Sequence, residues 1–105
     1  MKQILIDKFL IPQEAIEEFT NRMNYNRNLI KGISGFLGDN VYNRPDENGK
    51  FIIITIAQWK DENFMANAKE AVQNEYKRNG FDLPGFIARL NITMERGIYQ
   101  EYSTN

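Results

Sequence analysis

The stretch "FIIITIAQWKDENF", Phe51 to Phe64, decides the fold. In an extended chain Phe51, Ile53, Thr55, Ala57 and Trp59 point to one face, and Ile52, Ile54 and Ile56 to the other. A strand in a sheet covered on one side only alternates apolar with polar residues, so a run that is apolar on both sides predicts cover on both sides. After Trp59 the period changes. Asp61 is placed to cap a helix in which Phe64, Ala68, Val72 and Tyr76 recur at steps of four, with Lys69, Glu70 and Lys77 outside that stripe.

Upstream, Asn48-Gly49 predicts a type I′ hairpin, which joins a strand over Lys50 to Trp59 to an antiparallel partner in "GFLGDNVYNRP". The two glycines of that partner predict a bend or bulge. Gln3 to Leu10 reads as the first strand, closed by Pro12. A helix follows from Gln13, with Ile16, Phe19, Met23 and Ile30 at helical spacing and Glu14, Glu17, Glu18, Arg22 and Arg27 on other faces, ending near Gly32. Downstream, Asn79-Gly80 ends the second helix and "FDLPGF" is a turn-rich connector. "ARLNITMERGIYQEYS" reads as a fourth strand, with Leu90, Ile92, Met94, Ile98 and Tyr102 on one parity and Gly97 marking a bulge. The order β-α-β-β-α-β predicts a single α+β domain over residues 1–105. It is ferredoxin-like, a four-stranded antiparallel sheet with two helices on one face. The face left bare carries Ile52, Ile54 and Ile56, and a patch of that kind predicts a homodimer packed sheet to sheet.

Composition removes whole classes of chemistry. The chain of 105 residues has a net charge of −1, so it carries no field that would draw nucleic acid. It contains no cysteine, hence no disulfide or thiolate, which fits a reducing, cytoplasmic setting. It contains no histidine, the usual general base near neutral pH and the commonest metal and haem ligand. Apolar runs such as Phe51 to Ala57 fall far short of the roughly 20 residues that span a bilayer. Asp7 and Lys8 interrupt the N-terminal run, which reads as a strand and not a signal peptide.

Four pieces together resemble the antibiotic biosynthesis monooxygenase family: a first strand ending in F-x-I-P, an amphipathic helix, "IKGISGFLG", and "AQWKDENFMANA". The most specific piece is W-[KE]-x-x-x-F, here Trp59, Lys60 and Phe64, with Gly35-Phe36 as a second. The resemblance implies a dimeric α+β barrel of ferredoxin-like subunits and a small oxygenase that uses no cofactor. In the haem-degrading branch the pattern's asparagine, tryptophan and histidine fall on Asp7, Trp59 and Lys69, so the resemblance does not extend to an iron ligand. In the aromatic polyketide oxygenases, the asparagine and tyrosine that accompany the tryptophan fall on Thr55 and Met65.

Oxygenation without a cofactor asks the protein to bind an acidic, electron-rich substrate, help remove its proton, exclude water and stabilise the anion. Trp59 as an aromatic wall, Asp7 as a base and Thr55 as a donor are the expected catalytic residues. Phe9, Phe19, Asn63, Phe64 and Asn67 are expected to touch a planar aromatic or quinol-like substrate. Competing readings stand beside these. Asp7, an acid inside "ILIDKFLI", can equally be held in an ion pair with a lysine or arginine. Trp59 can be a buried anchor packed on Phe64 and Phe19. Arg89 and Arg96 are candidates to bind an anion or to be solvated ends, and Tyr99 and Tyr102 to pack a sheet or dimer. The different-class alternative is a dimer that binds a small hydrophobic ligand without turning it over.

Overall fold

A computed structural model describes residues 1–103. β1 (Gln3–Ile11) leads through a one-turn 3-10 helix (Gln13–Ala15) into α1 (Ile16–Lys31), followed by β2 (Phe36–Pro45), β3 (Phe51–Trp59), α2 (Glu62–Asn79), α3 (Leu83–Arg89) and β4 (Thr93–Tyr99). The strands form one sheet in the order β2-β3-β1-β4, and every neighbouring pair is antiparallel. This is the ferredoxin-like α+β arrangement, with a third, short helix that the sequence does not announce.

Register fixes which side chains share a face. Gln3, Asp7, Phe9 and Ile11 of β1 stand opposite Trp59, Thr55, Ile53 and Phe51 of β3. This parity meets the helices, because Phe9, Ile11 and Ile53 are buried with Ala15, Phe19 and Ile92, and Phe86 and Ile87 pack against them. The opposite parity carries Ile4, Ile6 and Leu10 of β1 against Gln58, Ile56 and Ile52 of β3.

Local chemistry sets the ends of the elements. The Asp61 carboxylate accepts from the Phe64 N–H at 3.0 Å, the expected cap of α2. Gly80, at φ 67°, closes the same helix, and the Phe81 N–H returns to the Tyr76 carbonyl at 2.8 Å. The β2–β3 hairpin differs from the expected I′ turn. Only Gly49 has positive φ, 82°, while the Asp46 carboxylate accepts from Asn48 N–H and the Asp46 carbonyl from Gly49 N–H. An Asx turn therefore takes over the tightest part of the loop and leaves a single left-handed position.

The largest correction lies at residues 83–90. Leu83, Phe86, Ile87 and Leu90 are spaced for a helix, Pro84 sits in its first turn, and Phe86, Ile87 and Leu90 all pack on the core. Reading Leu90 and Ile92 as strand residues by parity misses that spacing. Asn91, at φ 57°, turns the chain, and β4 begins only at Thr93. Gly97 is no bulge, since β1 and β4 pair without a shift and Gly97 lies opposite Ile6. The bulge is in β2, between Phe36 and Gly38.

Candidate functional site

The helix-facing side of the sheet divides along the strands into an apolar end, a polar middle and a second apolar end. Trp59 anchors the first. It is 3 % exposed, stands opposite Gln3, and meets Phe36 edge to face at 5.4 Å and 71°. Beside it Gly35, at φ 88°, receives the Phe64 ring so closely that a Cβ there would lie 2.3 Å from Phe64 Cγ. The Lys60 N–H donates to the Gly35 carbonyl at 2.9 Å, and Lys60 Nζ lies 5.7 Å from the Phe64 ring centre. The two motifs that carry the family resemblance thus lock onto each other, Gly35 on Phe64 and Phe36 on Trp59. Gln3 is buried there and donates from Nε2 to Glu62 Oε1 at 3.3 Å.

The second apolar end belongs to Phe9 and Phe19, whose rings lie 4.7 Å apart at 57° inside the main core. Six residues of β1 separate Phe9 from the Trp59 level, about 20 Å at the usual rise per residue. Trp59 accordingly packs on Phe36, while Phe19 packs on Phe9. Asn63 and Asn67 are exposed on α2.

Between the two ends Asp7, 7 % exposed, lies opposite Thr55 on one side and Arg96 on the other. Arg96 Nε donates to Asp7 Oδ1 at 2.7 Å and Nη2 to Oδ2 at 2.8 Å, a bidentate pair made within the chain. Hydrogen bonding to Asp7 pushes the Arg96 guanidinium above its usual range, so it stays charged. Above the sheet stand three groups that the sequence does not single out as a site. Arg22 and Asn26 of α1 follow Phe19 at three and seven residues, which places them on the same inward side of the helix. Tyr76 of α2 reads from sequence only as part of an apolar stripe. Burial raises the Tyr76 phenol above its ordinary range, opposed by the nearby charges of Arg22 and Arg96. At neutral pH it is therefore a donor phenol. Arg22, expected on an outer face, is instead held over the Phe81 ring at 3.5 Å, with Tyr25 at 4.6 Å and Tyr76 at 5.2 Å. Its spacing from Phe19 is the available signal, outweighed by the rule that places charge outside.

The middle therefore offers two guanidinium groups, one neutral phenol and one amide around a floor of Asp7 and Thr55. Such a set can bind and stabilise an oxyanion.

No protein-family model and no curated protein matches the chain. Solved structures do, over nearly their whole length. One described as a "putative monooxygenase" from Shewanella loihica is 18 % identical with a TM-score of 0.72, covering 98 % of this chain and 96 % of that one. SnoaB, a cofactor-independent oxygenase from Streptomyces nogalater, is 17 % identical with a TM-score of 0.62, covering 98 % and 95 %. A "putative antibiotic biosynthesis monooxygenase" from Nitrosomonas europaea is 12 % identical with a TM-score of 0.69, covering 98 % and 92 %. The chain has the ferredoxin-like fold of these proteins, and the last of them carries the family name that the motifs around Trp59 and Gly35 suggested. Among the described residues no helix is long and apolar enough to cross a membrane.

Proposed function

We propose that the chain is a cofactor-independent monooxygenase acting on a planar aromatic or quinol-like compound, and that it works as a homodimer. The observation that carries the reading is the oxyanion-binding middle of the sheet, built on a fold shared with an oxygenase of that kind. An anthrone-type substrate gives its proton to bulk water before the site closes over it and is held there as the enolate. The enolate reduces dioxygen, forms a C–O bond, and loses water from the resulting peroxide, so that CH2 and O2 become C=O and H2O. The protein's share is to bind the ring over the middle of the sheet, stabilise the anion at the Arg22–Tyr76–Arg96 cluster, and keep water out, while Trp59, buried on Phe36, holds the end of β3. Asp7, with both oxygens engaged, serves to aim Arg96 more readily than to take a proton, and Thr55 supplies a donor beside it.

The dimer rests on the other face. Ile4, Ile6, Leu10, Ile54 and Ile56 share it with Ile52, which the single chain already buries, and with the exposed Lys8, which stands opposite Ile54 and Glu95; Tyr42 and Tyr99, each more than half exposed, flank them. The radius of gyration is 14.5 Å, against about 13 Å for a compact chain of this length. Packing two such faces together removes the apolar patch from water.

Oxygen uptake with a panel of anthrones and dihydroquinones tests the activity. Uptake should exceed the spontaneous rate and fall roughly tenfold or more in Tyr76→Phe, which removes the donor phenol of the cluster. No uptake with any of the panel contradicts the proposal, and tight aromatic binding without uptake favours the ligand-binding dimer instead.

A further inference from the structure

Nε and Nη2 of Arg22 are buried and have no hydrogen-bond partner among the described residues, and neither has Asn26 Oδ1. Buried polar atoms of a folded protein are nearly always paired, because an unpaired one forfeits its hydration for nothing. The same two nitrogens have occupants elsewhere in this molecule. Arg96 presents Nε and Nη2 to Asp7, Arg27 to Asp39, and Arg78 to Glu75. In each case the fork closes on the two oxygens of one carboxylate. The Arg22 fork has the same shape, lies against the rings of Phe81, Tyr25 and Tyr76, and closes on no carboxylate of the described residues. The neighbouring carboxylates are already engaged, Asp7 by Arg96, and Glu75 by Arg78, Tyr25 and Asn79.

We propose that the Arg22 fork is the seat of a carboxylate carried by the substrate, and that Asn26 Oδ1 accepts from a hydroxyl beside that carboxylate. The ligand class is then a hydroxyaryl carboxylic acid. The inference rests on the reading of this interior as a substrate site and narrows it from aromatics in general to aromatic acids. The chemistry of the walls agrees: aromatic rings surround the fork on several sides, and the Tyr76 phenol and the Arg96 guanidinium add a further donor and a second positive charge.

Calorimetric titration at neutral pH with 1-hydroxy-2-naphthoate and with its uncharged amide tests it, using wild type, Arg22→Gln and Arg22→Lys. Wild type should bind the acid roughly tenfold or more tighter than the amide. Arg22→Gln should abolish that preference, weakening the acid far more than the amide, and Arg22→Lys should keep part of it, as a point charge without a fork would. Equal affinity of wild type for acid and amide overturns the proposal, as does binding of neither, or an Arg22→Gln that weakens both alike. Should Arg22→Gln fail to fold by circular dichroism, the acid-to-amide ratio of wild type decides alone. No turnover is read. Oxygen uptake with neutral phenols and no acid preference would sink this inference and spare the oxygenase, whereas acid-selective binding without uptake would do the reverse.

Discussion

Asp7 and Arg96 form one bidentate pair, but their surroundings are unequal: the Asp7 side chain is 9 % exposed and that of Arg96 48 %. Removing one partner strands the other, and only Arg96 can turn to water. Arg96→Leu leaves a buried carboxylate and should cost about 3 kcal/mol, whereas Asp7→Leu should cost about 1 kcal/mol. The double replacement should cost less than Arg96→Leu alone. Urea unfolding checks the order, and an Asp7→Leu protein less stable than Arg96→Leu would contradict the asymmetry. The sequence marks Asp7 as an anomaly because an acid inside an apolar run is rare. It cannot name the partner, since Arg96 lies 89 residues away and is chosen by strand register. Arg22 is hidden for the opposite reason. A charge at helical spacing reads as solvated until the ring of Phe81, more than fifty positions on, is seen beneath it.

Elements are legible where a local residue decides them. Asp61 and Gly80 bound α2 by chemistry within three or four residues, and the bulge of β2 follows from its glycines. α3 escapes the sequence reading because Pro84 and Gly85 make its first turn look like a connector, although Leu83, Phe86 and Ile87 keep helical spacing toward the core. The loop after α1 separates two glycines by their surroundings. At Gly32, φ −90°, an added methyl group would have its nearest neighbour atom 3.9 Å away, while Gly35 combines φ 88° with the Phe64 ring. Gly32→Ala should leave stability within about 0.5 kcal/mol, and Gly35→Ala should lose about 2–3 kcal/mol by displacing Phe64 and the end of β3. Thermal denaturation measures both. A Gly35→Ala protein as stable as Gly32→Ala would mean that the two motifs are not locked together.

The whole molecule is a layer with helices on one side and an isoleucine-rich face, crossed by Lys8 and Glu95, on the other, 18 Å along its shortest axis and 40 Å along the other two. The alternation broken by Ile52, Ile54 and Ile56 announces that second face from the sequence alone, because side-chain parity in a strand needs no tertiary knowledge. What covers it cannot be read from one chain, and the cover proposed above is a second copy. A lysine at Ile54, in the third strand's outward row, should split the pair by placing two like charges across the two-fold axis. The most direct test of that central claim is the mass in dilute solution by light scattering. Wild type should scatter as a particle of twice the 12.3 kDa chain mass, and Ile54→Lys should shift toward the single chain. A wild-type protein that scatters as one 12.3 kDa chain would contradict it.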